Sequence, residues 1–522
     1  MAEEFHKFNR TQNVKRNLGF GILNNATALL FPFIVRTVLI YKFGVDYLGL
    51  NGVFSSILQV LNLAELGFGT AVVYSLYEPV ARDDTETICA YLSTYRKVYR
   101  IMGLGILALG LCVMPFLRFL IRDAVVPGGL NLYIWFSIYL ADTVISYLLY
   151  AYKLCLPTAF QRIDLISKVD MVVMAVKSII QIIVLLTSRN FYLYLIVFPV
   201  MTVVRNLLMA AMTKRRYPQY ECRGSVSDSQ WADLKRRVTG LMINRFCLIS
   251  RNGIDSICIS AFLGLTITGI YHSYFYIFNA LVAISLILQS AMTPGVGNSI
   301  VTESKEKNYA DMRRFSFIYM MIVGWTAICM LCLYQPFVRV WLGAKLMLPL
   351  AAVIALCLYF YVLKMLDMRW YYSEAAGLWW EYRYWMIAET VANVILNILF
   401  VRLWGVTGII AATIVSILLI NFIGSGYVIF KYYFQNRKLG EFFTDHARYF
   451  LVTLGIAVVT FFACRGIGHF LPSGKWIQLL IRIPVSALLP VALYYVFYGR
   501  TEAFREAFTW IRSKIGRKDS AA

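Results

Sequence analysis

Phe43-Gly44-Val45-Asp46-Tyr47-Leu48-Gly49-Leu50 is echoed by Leu263-Gly264-Leu265-Thr266-Ile267-Thr268-Gly269-Ile270, 220 residues further on. Each stretch holds two glycines at the same spacing. Glycine tolerates the positive φ of a sharp turn, so each reads as a tight outside turn. The turn joins a polar-faced helix to a long, aromatic-containing one. Each copy is followed by an inside loop and a basic helix start, Arg96-Lys97 after the first and Arg313-Arg314 after the second. The matching surroundings indicate a duplicated six-helix unit. With both units starting on the inside, the repeats run parallel about an axis along the membrane normal.

The chain around these turns is 60% hydrophobic, 16% aromatic and 15% charged. A soluble chain of this length would approach a quarter charged residues. Apolar runs of about 20 residues recur throughout, as membrane-spanning helices require. About fourteen spans are expected, near 16–40, 47–77, 95–120, 131–152, 165–187, 190–212, 239–263, 266–294, 315–340, 347–367, 383–401, 405–430, 449–471 and 476–498. The expected fold is therefore all-α and integral to the membrane, with two six-helix lobes and two added C-terminal helices. The N-terminal lobe covers 1–212, a cytoplasmic linker 213–238 and the C-terminal lobe 239–430. Two further spans occupy 431–498, and a basic amphipathic tail 499–522, with Phe504, Phe508, Ile511 and Ile515 at helical spacing. That tail is expected to anchor on the inner membrane surface. The polar, basic start leads into a full-length span and reads as an uncleaved first helix.

The net charge of +22 follows topology. With an inside N-terminus, inner segments and span ends carry about 34 Lys/Arg and outer ones about 9. Both termini are then cytoplasmic, and nucleic acid is disfavoured as a partner. The ten cysteines are dispersed and mostly within spans. Cys329-x-x-Cys332 has no nearby histidine to complete a metal set and reads as packing. No catalytic set, Walker sequence or cofactor motif is present. Gly103, Gly105 and Gly110 read as sites of close helix contact.

Charges stand where lipid would not tolerate them: Arg36, Glu65, Asp142, Lys177, Arg205, Arg245, Arg251 and Asp255. Facing lipid, they would together cost on the order of 20–28 kcal/mol. They must turn toward a wet or polar interior. Helical spacing groups Asn25, Pro32 and Arg36 in span 1, and Asn51, Ser55, Asn62, Glu65 and Gly69 in span 2. In span 7 it groups Asn244, Arg251 and Asp255 beside Arg245, Asn252 and Ser256; in span 8, His272, Tyr276 and Asn279. A shared cavity is the economical explanation.

Bland readings stand beside it. Arg251 and Asp255, or Arg36 and Glu65, could simply neutralise each other. Lys177 aligns with Asp170 and Gln181, which favours a static pair. Arg205 is close enough to the inner end to snorkel. Lys364 and Asp367 form an interfacial pair or a gate. Glu389, Asn393 and Asn397 form a stripe, as interhelical glue or as a ligand site. For His272 a satisfied hydrogen bond is favoured over a metal.

The stretch Arg36…Gly44…Tyr47-Leu48-Gly49-Leu50…Leu63-Ala64-Glu65-Leu66-Gly67-Phe68-Gly69-Thr70-Ala71…Tyr74-Ser75-Leu76-Tyr77-Glu78-Pro79 resembles the Wzx-type polysaccharide flippases. These belong to the multidrug/oligosaccharidyl-lipid/polysaccharide (MOP) exporter superfamily. Asp255, Gly269-Ile270-Tyr271, Gly297-Asn298 and Trp404-Gly405-Val406-Thr407-Gly408 extend the resemblance. Tyr271-His272-Ser273-Tyr274 departs from it, since relatives tend to show Tyr-x-Asn-Tyr there.

The resemblance implies a MATE-like transporter rather than an enzyme. Its cargo would be a polyprenyl-pyrophosphate-linked oligosaccharide, moved from the inner to the outer leaflet of a bacterial cytoplasmic membrane. The product would be O-antigen, capsule or exopolysaccharide, with other polysaccharide-assembly proteins and membrane lipid as partners. Arg36, Arg245 and Arg251 suit the pyrophosphate; Asn62, Asn252, Tyr276 and Asn279 suit the sugars. Glu65, Asp142 and Asp255 are the candidates for coupling to a proton or sodium gradient. A lipid II flippase, a cation-coupled multidrug exporter and a membrane polymerase or ligase are the competing readings.

Overall fold

The glycine turns are built as the sequence predicts. A computed structural model of the chain describes residues 10–62, 68–121, 127–188, 190–435, 439–470 and 474–516. Gly44 (φ 104°) stands between α1 (Arg10–Phe43) and α2 (Val45–Leu61). Gly264 (φ 86°) stands between α10 (Asp228–Leu263) and α11 (Leu265–Thr302). An L side chain is strained at such φ values.

Between these turns run α3 (Phe68–Ala81), α4 (Thr85–Val113), α5 (Leu117–Leu120), α6 (Leu132–Leu148), α7 (Cys155–Ala159), α8 (Ile163–Thr187) and α9 (Phe191–Arg216). After them come α12 (Lys305–Trp341), α13 (Leu350–Met365), α14 (Asp367–Ala375), α15 (Trp379–Ser416) and α16 (Ile423–Ile429). The chain finishes with α17 (Leu439–Phe470), α18 (Lys475–Tyr498) and α19 (Glu502–Gly516). Two π-helical stretches, Ile417–Phe422 and Phe430–Phe434, flank α16. No strand occurs among the described residues.

Eleven of the described helices are long and apolar enough to cross a membrane, or twelve if α6 and α7, bent by 55°, form one broken span. The expected fourteen are compatible with this. Within the expected span 47–77 the described residues form α2, of 17 residues, and α3, while residues 63–67 lie outside them. Trp380–Phe434 is one helical run of 55 residues, but it reverses at Gly405 (φ 58°). Asn393 Nδ2 donates to Thr413 Oγ1 at 3.0 Å. In a straight helix those positions would lie about 30 Å apart. The two expected spans 383–401 and 405–430 are the arms of this hairpin.

The chain divides into two compact units, 1–269 and 270–522. The sequence places the lobe boundary at the 213–238 linker. In the structure that linker is mostly helix end: α9 runs to Arg216, and α10 begins at Asp228 behind a Ser227–Gln230 capping box. Helix α10 packs with the first unit, along α2.

Close packing in the first unit rests on glycine. A Cβ on Gly110 of α4 would overlap Leu140 Cδ1, and one on Gly103 would stand 3.0 Å from Tyr147 Cβ. Both are α4–α6 contacts, as expected. A Cβ on Gly105 would meet nothing. In the second unit, Tyr274 of α11 is fixed by Gln335 and by the backbone N–H of Leu348. Phe278 stacks on Tyr359 with centroids 4.9 Å apart.

Candidate polar site in the membrane-spanning helices

The first motif anchors its own neighbourhood. Phe43 and Tyr47 join Trp135 and Phe191 in an aromatic cluster with centroid distances of 4.7–5.6 Å. Leu48 and Leu50 are buried. Gly49 and Gly269 then make a reciprocal approach. A Cβ on Gly49 would overlap the Leu265 carbonyl oxygen, and one on Gly269 would overlap that of Val45. Thr266 Oγ1 donates to Asp46 Oδ1 at 2.6 Å across the same crossing. The two copies of the motif therefore pack on each other, each glycine admitting the other's backbone.

From this crossing α2 and α10 run antiparallel. Gly253 faces Val60, where a Cβ would stand 2.8 Å from Val60 Cγ2. The register 49 to 265 and 60 to 253 places Asn62, the C-cap residue of α2, level with Arg251. Asn62 Oδ1 is buried and has no hydrogen-bond partner among the described residues. Arg251 is 4% exposed and Asp255 2% exposed on α10. Four residues apart, their side chains share one helix face. Arg36 of α1 lies within electrostatic range of Tyr194 of α9. Arg251 and Asp255, buried in an apolar helix, require polar company.

Other candidates sort differently. Glu65 lies outside the described residues, as do the side chains of Arg245 and Asn252. Asn51, expected to share a stripe with Asn62, is instead internal glue. It accepts from Trp135 Nε1 at 3.0 Å and is 7% exposed. Tyr276 and Asn279 lie in the second unit on α11, half-buried and exposed, with half-buried His272 on the same side.

Asp142 of α6 belongs to a polar group among α6, α8 and α9. Thr202 Oγ1 donates to its Oδ1 at 2.5 Å. The Lys177 ammonium sits 4.1 Å above the Phe198 ring and within electrostatic range of Asp142. Asp170, expected to pair with Lys177, instead accepts from Arg205 Nε at 2.6 Å. Arg205 is thus held in an ion pair. Asn206 secures this layer through Nδ2 to the Ser146 carbonyl at 3.3 Å. Thr202 and Phe198 were missed in the sequence, although Phe198, Thr202, Arg205 and Met209 recur at helical spacing on α9.

In the second unit the ambiguous polar stripes combine bonds between helical segments with a bond along one helix. Lys364 donates to Asp367 Oδ2 at 3.1 Å, and Tyr319 donates to the same oxygen at 2.6 Å. Asn421 Nδ2 donates to Glu389 Oε2 at 2.8 Å, and Asn397 Nδ2 to Asn393 Oδ1 at 3.3 Å. Glu389, Asn393 and Asn397 are each at most 2% exposed. Cys329 donates through Sγ to the Ser486 carbonyl at 3.2 Å, a packing role.

Comparison with solved structures places this arrangement in a known fold. A lipid II flippase, MurJ, in its inward closed conformation superposes with a TM-score of 0.66 at 15% identity, covering 92% of this chain and 99% of that one. An inward-facing multidrug resistance MATE family transporter of the MOP superfamily gives a TM-score of 0.61 at 14% identity, over 77% of this chain and 94% of that one. A mutant form of the Vibrio cholerae MATE transporter VcmN gives 0.57 at 14%, over 81% and 98%. No family profile and no curated protein matches the sequence. The chain has the all-helical membrane fold of these transporters.

Proposed function

We propose that the protein is a flippase for polyprenyl-pyrophosphate-linked oligosaccharide repeat units. It turns them from the inner to the outer leaflet of the cytoplasmic membrane by alternating access, for surface polysaccharide assembly. The observation that carries this reading is Arg251, a nearly inaccessible guanidinium on membrane-spanning α10, level with the buried Asn62 oxygen. With Arg36 it supplies forked, permanently charged donors that match a pyrophosphate. A multidrug exporter of cations would be ill served by this sign of charge. The length of the match to the lipid II flippase supports a lipid-linked cargo, since the MATE transporters leave about a fifth of this chain unmatched. A lipid II flippase is the second reading for the same reason.

For the driving ion, Asp142 favours a proton over sodium. Hard cations take several oxygen ligands. Thr202 is the one hydrogen-bond partner of Asp142 among the described residues, and Lys177 already supplies a neighbouring cation. Deleting the gene in the source organism tests the cargo. The expected result is accumulation of an unpolymerised lipid-linked oligosaccharide with loss of surface polymer. Normal polymer with arrested peptidoglycan synthesis would instead select the lipid II reading.

A further inference from the structure

Helix α19 is strongly amphipathic, and its faces have different partners. On one side Ala507 is 4% exposed, and Trp510 meets Phe315 of α12 edge-on with centroids 5.3 Å apart. Glu506 reaches Arg314 of α12 at 4.0 Å. Phe504 rests on Tyr495 of α18, centroids 5.9 Å apart. At about 100° per residue, Arg505, Phe508 and Arg512 fall within one sector of roughly 60°, turned away from Ala507 and Trp510. Phe508 is 57% exposed, and both arginines are exposed. Neither arginine makes an ion pair among the described residues.

An exposed phenyl ring between two exposed guanidiniums suits a phospholipid interface. The ring enters the acyl boundary while the guanidiniums bind phosphates with charge-assisted hydrogen bonds. Lys514, Arg517 and Lys518 continue the basic run in the sequence. Basic residues beside an apolar anchor gain most at an anionic leaflet. We infer that α19 is an anionic-phospholipid latch. Arg505, Phe508 and Arg512 grip acidic lipid headgroups, while Ala507, Trp510 and Glu506 hold the helix against α12. The latch then ties leaflet charge to the end of α12 where Arg313 pairs with Asp445 at 2.5 Å. This goes beyond the flippase reading and does not depend on it.

Hydrogen–deuterium exchange of the full-length protein in nanodiscs tests the latch without a transport readout. Wild-type amides of 502–516 exchange more slowly in phosphatidylcholine discs containing phosphatidylglycerol than in phosphatidylcholine alone. Arg505→Gln and Arg512→Gln each lower the bound population about fivefold in the anionic discs. Phe508→Ser reduces protection in both lipids. Unchanged exchange in α12 shows that each variant is folded. Equal wild-type exchange in the two lipids overturns the inference, as does lipid-charge dependence that survives the double arginine variant. Protection that arises only with added cell extract assigns the face to a protein and also overturns it.

Discussion

Guanidinium groups inside the apolar helices of the first unit have unlike surroundings, and those surroundings separate function from stability. Arg205 and Asp170 form a close pair, about a third and a quarter exposed. Solvent screening leaves such a pair worth about 1 kcal/mol. A double-mutant cycle with Arg205→Gln and Asp170→Asn should return that coupling in thermal unfolding, with export largely intact. A cycle giving no coupling, together with lost export, would move Arg205 into the transport path. Arg251, by contrast, is nearly inaccessible. Arg251→Ala should lower polymer export about tenfold or more, the worth of a hydrogen-bonded charged contact. Arg251→Lys keeps the charge but loses the fork, so it should recover only part of that activity. Export at wild-type level in Arg251→Ala and Arg36→Ala, with the proteins present in the membrane, would remove the phosphate site. The Asp142 reading adds a third expectation. Asp142→Asn should abolish the dependence of transport on an imposed pH gradient, whereas a sodium gradient should have no effect in wild type.

The antiparallel pair α2 and α10 shows what one helix crossing demands. A methyl group at Gly49 would overlap backbone oxygen, which cannot yield as a side chain can. Gly49→Ala should cost about 1–3 kcal/mol and lower the melting temperature by a few degrees. Gly105→Ala meets nothing and improves helix propensity, so it should be neutral or slightly stabilising. Equal effects of the two would show that the crossing is slack. Both positions are glycine in one-dimensional sequence, and only the repeat spacing distinguishes Gly49. The turns at Gly44 and Gly264 were legible because positive φ selects glycine. Ionic partners were legible only within a helix. The periodicity that joins Lys177 to Asp170 on α8 cannot see Arg205, since that choice depends on how α9 faces α8. Asn51 escapes sequence reading for the same reason, as its partner Trp135 lies on another helix.

At the scale of the whole chain, charge placement predicts orientation. Inner segments and span ends would carry about 34 Lys/Arg against about 9 outside if the N-terminus is inside. Of these inner residues, the tail after α18 supplies Arg500, Arg505, Arg512, Lys514, Arg517 and Lys518. Fourteen crossings, an even number, return the C-terminus to the side of the N-terminus. The described helices accommodate this count once α2 with α3, α6 with α7, and the two arms about Gly405 are each taken as crossings. A green fluorescent protein fused after Ala522 should therefore be fluorescent, and alkaline phosphatase at the same point inactive. Fusion near Gly44 or Gly264 should give the reverse. If the C-terminal phosphatase were active, α19 would face the outer surface and the glycine crossing the cytoplasm. Arg36 and Arg251 would then meet cargo from the opposite leaflet, and the proposed direction of transport would invert. Topology thus bears directly on the proposed mechanism, because under the flippase reading Arg36 and Arg251 would serve export or import according to which leaflet they first meet.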